Sequence, residues 1–89
     1  MWKVGDRVVI IQDARRNLES FVGFKGTVNF ASRDEISVVF DKYVNGHDLL
    51  GDCKKGYGWF LSSDGENENE AEANGMRVKK INNRKNNYW

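Results

Sequence analysis

His47, Asp48, Asp52 and Cys53 lie close together in the chain and bring an imidazole, two carboxylates and a thiol, the ligand types that a zinc ion accepts. Their spacing is not a recognised ligand pattern, and a metal centre would need His47 and Cys53 to converge with two further ligands. Cys53 and His47 are also the types of a nucleophile and its base. That chemistry needs a thiolate stabilised by an oriented imidazole and a separate site for the developing oxyanion, and nothing in the sequence supplies the second. The segment therefore reads as a loop with a hydrogen-bonded histidine and a small packed cysteine. No metal, no cofactor and no enzymatic activity are expected.

Binding chemistry is better represented. Tyr43, Tyr57, Trp59 and Phe60 are concentrated in one stretch, and successive residues of a strand face opposite sides, so Trp59 and Phe60 cannot both enter one core. Trp59 is assigned to the core and Phe60 to the surface. An outward ring is either covered by a loop or the tail, or is a recognition group of the kind that dominates protein interfaces. A second candidate is the basic carboxyl end, where Arg77, Lys79, Lys80, Arg84 and Lys85 precede Tyr88 and Trp89. With Lys54 and Lys55 these residues would make a face for phosphates and stacked bases, or else a solvated strand face and a frayed tail. Arg15 and Arg16 read as a charged loop. The candidate binding residues are thus Tyr43, His47, Lys54, Lys55, Tyr57, Phe60, Arg77 and Lys79.

An acidic run faces this basic end in sequence. Asp64, Glu66, Glu68, Glu70 and Glu72 recur at every second position. Such a run mimics nucleic-acid phosphate, keeps the chain soluble, or masks the neighbouring basic strand.

Positioning these groups requires strands. Val8 to Ile11 is a β-branched run opened by Gly5 and Asp6, Thr27 to Phe30 follows the glycines at 23 and 26, and Ile36, Val38 and Phe40 alternate with Ser37, Val39 and Asp41. Tyr57 to Leu61 is an aromatic strand, and Met76, Val78 and Lys80 alternate with Arg77 and Lys79. Val8, Ile10, Val28, Ile36, Val38, Phe40, Trp59, Leu61, Met76 and Val78 form the expected core. Residues 12–24 read as an ordered loop pinned by Leu18, Phe21, Val22 and Phe24, and residues 42–56 as a glycine-containing loop. Residues 63–75 read as a mobile acidic loop, in which Asn67 to Ala73 has at most a turn of helix.

The 89 residues, 39% hydrophobic and with eleven aromatics (three Trp, three Tyr, five Phe), suit one folded domain. One cysteine excludes an internal disulfide and points to a reducing compartment, so a cytoplasmic protein is expected. Neither a secretory signal nor a membrane span is legible. A net charge of +1 argues against a uniformly basic nucleic-acid binder.

The order KVGDRVVI, FVGFKGTV, ISVVFD, GYGWFL, MRVKKI resembles SH3-like small barrels, especially KOW-type and short bacterial and bacteriophage members, over Lys3 to Ile81. Gly5 and Asp6 before the first strand, Gly23 and Gly26 around the turn into the second, and Asp41 closing the third carry the likeness. The stretch NGHDLLGDCKKGYGWFL is similar to segments of short phage-encoded barrels, which implies a protein that binds host machinery or nucleic acid. The resemblance implies an all-β, single five-stranded SH3-like barrel with long loops at residues 1–81, followed by a polar basic and aromatic tail at 82–89. The expected function is a non-enzymatic protein-binding module, phage-encoded and directed at a host protein. The alternatives are a KOW-like nucleic-acid binder using the last strand and tail, and a small structural subunit of an assembly. A monomer or weak oligomer is expected.

Overall fold

Alternating β-branched and aromatic residues fit a pleated surface that is buried on one side, and they drive this chain into strands. The computed structural model describes residues 2–14, 20–63 and 69–81. It contains β1 (Arg7–Asp13), β2 (Lys25–Ala31), β3 (Glu35–Phe40), β4 (Gly58–Ser63), β5 (Glu70–Ala73) and β6 (Met76–Lys80). Each strand pairs antiparallel with the next, and β6 returns to β1, closing a barrel. The all-β barrel is as the sequence implies and is compatible with an SH3-like small barrel, but it has six strands rather than five.

The extra strand is β5, and it corrects the reading of residues 63–75 as one mobile acidic loop or a turn of helix. Ala71 is 3% exposed and Ala73 packs against the core, while Glu72 faces solvent, so the last part of the acidic run, Glu70–Ala73, has period-two alternation with alanine as the inward residue. Asn74 and Gly75, at φ values of 52° and 88°, form the two-residue connection to β6. Positive φ at both central positions matches the right-handed twist of the flanking strands, and asparagine and glycine tolerate it best. Residues 64–68, Leu18, Arg15, Arg16 and the tail 82–89 lie outside the described residues.

Nine of the ten expected core residues are buried: Val8, Ile10, Val28, Ile36, Val38, Phe40, Leu61, Met76 and Val78. The tenth, Trp59, is only partly buried and packs against that cluster from its rim. Ile36 opposes Leu61 and Val38 opposes Trp59, which puts both β4 side chains on the inner face. Four buried hydrophobic residues were not anticipated: Trp2, Val44, Leu49 and Ala71. Trp2 enters because Gly5, at φ 99°, turns the chain back so that its N–H donates to the Val28 carbonyl, and the Lys80 ammonium sits 4.9 Å over the indole ring. Of the apolar anchors expected for residues 12–24, Phe21 and Phe24 hold the segment, with ring centroids 5.2 Å apart and the Phe21 N–H donating to the Asp13 carboxylate, whereas Val22 points outward and is 51% exposed.

A register shift between Val28 and Phe30 reverses the phase of β2 beyond it. Phe30 consequently lies outside and is 49% exposed. Arg7 makes a forked pair with Asp41 at 3.0 and 2.8 Å and also donates to the Thr27 hydroxyl, linking β1 and β2 to the end of β3. Among the described residues, no helix is long and apolar enough to cross a membrane.

Candidate functional site

The loop from Asp41 to Tyr57 is closed on itself at Gly56 and joined to β4 at Gly58 by backbone bonds rather than by apolar periodicity. The Val44 and Gly46 N–H groups both donate to the Gly56 carbonyl, and His47 and Gly58 exchange a reciprocal pair at 2.9 and 2.8 Å. Gly46 permits this approach: a β-carbon there would lie 2.0 Å from the Gly58 carbonyl oxygen. Beyond His47, the residues Leu49, Leu50 and Gly51 take successive positive φ values of 54°, 62° and 97°. Leucine rarely adopts this conformation. It is supported here by His47 Nδ1, which accepts the Leu49 N–H at 3.0 Å, and by the Asp48 carboxylate, which accepts the Leu50 N–H at 3.0 Å. The turn buries Leu49 and leaves Leu50 92% exposed.

This construction assigns His47 and Cys53 to loop architecture. Cys53 Sγ lies 3.7 Å from the His47 carbonyl oxygen and 3.5 Å from that of Lys54. Burial, followed by the charges of Asp48 and Asp52, pushes the thiol above its ordinary value, which favours the protonated form over a nucleophilic thiolate. Among the described residues, no group of His, Cys, Asp or Glu is arranged to hold a metal ion.

The outer side of the same segment is aromatic. The His47 imidazole stacks on Phe60 with centroids 4.7 Å apart. Tyr43 meets Tyr57 edge-on at 6.1 Å, its hydroxyl donates to Asn45 Oδ1 at 3.0 Å, and the Lys54 ammonium stands 5.6 Å from the Tyr57 ring. Ser37 opposes both Phe30 on β2 and Phe60 on β4, so the two phenylalanines flank a small residue across three strands of the outer face. Beside Phe60 the surface sinks into a pocket of about 310 Å³ lined by Asn45, Gly46, His47, Trp59, Phe60 and Asn74. The Trp59 indole N–H donates to the Ala73 carbonyl at 3.3 Å and so ties β4 to the β5–β6 turn at the far wall.

The structure thus gathers Tyr43, His47, Lys54, Tyr57 and Phe60 on or beside one loop, with Lys55 exposed in the same segment. Arg77 and Lys79 lie apart on β6 and do not line this pocket. Glu72 pairs with Arg77 in register and binds its guanidinium at 3.0 and 2.8 Å, while Glu70 approaches it at 3.8 Å and stands opposite Lys79. Asn45, Gly46 and Asn74 were missed as site residues. Their signal was conformational, since Asn45 and Asn74 both adopt positive φ, at 60° and 52°, and each sits beside a glycine. Comparison with family models, curated proteins and solved structures finds no match for this chain.

Proposed function

We propose that this chain is a non-enzymatic protein-binding module whose recognition surface is the His47–Phe60 stack and the adjoining pocket. One observation carries the reading: none of the six residues lining that pocket is a lysine, arginine, aspartate or glutamate. The pocket itself offers a phosphate backbone no lysine or arginine, whereas aromatic rings beside neutral hydrogen-bonding groups suit a protein partner. The pairing of Arg77 with Glu72 and Glu70 supports the same choice, because it offsets the charge on which a KOW-like phosphate track would depend.

The test is selection of a displayed random dodecapeptide library on the folded chain, followed by titration of the enriched peptides, a single-stranded oligonucleotide and a duplex over a range of salt. Saturable peptide binding with a shallow salt dependence, lost in Phe60→Ala, is expected. Binding confined to the oligonucleotides, with log affinity falling steeply against log salt, would replace this reading with the nucleic-acid one.

A further inference from the structure

The pocket beside Phe60 coincides with a one-residue breach in the β4 ladder. The hydrogen-bonding phase of β4 follows from the bonds at its ends. The Phe40 N–H donates to the Tyr57 carbonyl and the Ser63 N–H to the Asp34 carbonyl, so the odd-numbered residues from 57 to 63 direct their backbone groups toward β3. Gly58, Phe60 and Ser62 therefore direct theirs to the opposite edge. On that edge Gly58 is occupied by His47, and Ser62 pairs with Glu72 of β5. Continuing the β4–β5 register would bring Asn74 opposite Phe60, but Asn74 has already entered the turn at φ 52°. Among the described residues, none stands in register with Phe60 on that edge and no loop or turn backbone group bonds to it there, and the pocket beside it is lined by Asn45, Gly46, His47 and Asn74 as well as by Trp59 and Phe60.

We propose, resting on the protein-binding reading above, that this breach is a receptor for the side-chain carboxamide of a glutamine or asparagine on the partner protein. A carboxamide carries one acceptor and one donor side by side in a plane, and it can take the Phe60 N–H while giving a hydrogen to the Phe60 C=O. The Asn45 and Asn74 side chains add neutral donors and acceptors at the walls, and the exposed part of the Phe60 ring offers apolar surface to the methylene stem. The geometry favours a side chain over an added strand. Between Gly58 and Ser62 there is roughly 14 Å of strand at about 3.4 Å per residue, and both ends of that edge are already paired. An extended partner strand has no course along it, whereas a side chain entering from outside does. A carboxylate in the same place would set its charge against the Phe60 carbonyl and lose the donor.

The experiment uses the tightest peptide from the dodecapeptide library, with the full chain labelled for amide spectroscopy. The expected result is a peptide whose binding depends on one glutamine or asparagine: replacing it with glutamate or methionine weakens affinity about tenfold or more, in line with the loss of a paired hydrogen bond. The Phe60 amide shifts and exchanges more slowly on binding, and the partner carboxamide protons become protected. Peptide binding that tolerates those replacements but is lost on N-methylation of one backbone amide would overturn the carboxamide inference in favour of backbone pairing, and would leave the protein-binding reading standing. Protection of the Phe60 amide that grows with protein concentration in the absence of peptide would overturn it in favour of a second copy of this chain. A library yielding no saturable binder would overturn both the inference and the reading.

Discussion

The imidazole of His47 lies over the ring of Phe60 with centroids 4.7 Å apart and planes inclined at 36°. Two backbone facts impose this contact. His47 is bridged to Gly58, and Phe60, two residues further along β4, has the same facing. The stack therefore belongs to the ladder between loop and strand, and it marks the outer limit of the pocket.

Phe60 and Trp59 should separate cleanly on mutation. Phe60→Ala removes a ring that is 36% exposed on the outer face and is expected to cost about 1 kcal/mol or less in urea unfolding. Trp59→Ala removes a ring packed on the core together with the bond from its indole to Ala73, and should cost about 3 kcal/mol, a large share of a small domain's stability. Equal losses for the two variants would show that the inner and outer faces of β4 are misassigned.

The core was legible because β-branched residues at alternate positions leave little choice of facing, and the three strands that carry most of them were found within a few residues of their ends. What could not be read was set by single backbone positions. Trp2 is buried by a turn at Gly5 that brings it back under Lys80, and Val44 and Leu49 are buried by bonds between the loop and Gly56 or Gly58. β5 was hidden because its inward residues are alanines, which carry a weak apolar signal. The Asn74–Gly75 pair between two alternating segments was nonetheless a hairpin signature in plain view.

β5 gives the acidic segment a structural duty. Deleting Asp64 to Glu72 would remove most of that strand, including buried Ala71, and leave β4 and β6 without the element that joins them. Loss of cooperative unfolding is expected in thermal denaturation. A sharp transition at an unchanged midpoint would mean that the barrel closes without β5.

Acid should weaken the clasp between Arg7 and Asp41. The hydrogen bonds from Arg7, ahead of the direct charge attraction, hold the Asp41 carboxyl below its ordinary value. A carboxyl whose folded value is lowered contributes stability that is present above the unfolded value of about 3.9 and is lost as pH falls through the folded one. Asp41 is half exposed, so solvent screening limits the pair to about 1 kcal/mol or less. The stability gap between the parent and Asp41→Asn should be constant from neutral pH down to about 5 and close below about 4. A gap that widens in acid would contradict the assignment of the shift to Arg7.

Pairing of β5 acids with β6 bases makes the final prediction the one that separates protein from nucleic-acid recognition. Glu72 binds the Arg77 guanidinium at 2.8 Å, and Glu70 stands opposite exposed Lys79, so half of the proposed phosphate track is countered within its own hairpin. Arg84 and Lys85, its other half, lie outside the described residues. The unmodified chain is expected to show no specific binding to DNA or RNA at physiological salt. The double change Glu70→Gln and Glu72→Gln removes the counter-charges without altering side-chain size, and should create weak, sequence-independent affinity for single-stranded DNA. Its log affinity should fall against log salt with a slope of roughly 0.7 per phosphate contacted, so that two uncovered cations give a slope near 1.4. Further conversion of Arg77 and Lys79 to glutamine should return the chain to the parent's behaviour. If the parent already binds an oligonucleotide with submicromolar, salt-sensitive affinity that this last change abolishes, the acids of β5 are not an effective mask, and β6 rather than the His47–Phe60 surface carries the function.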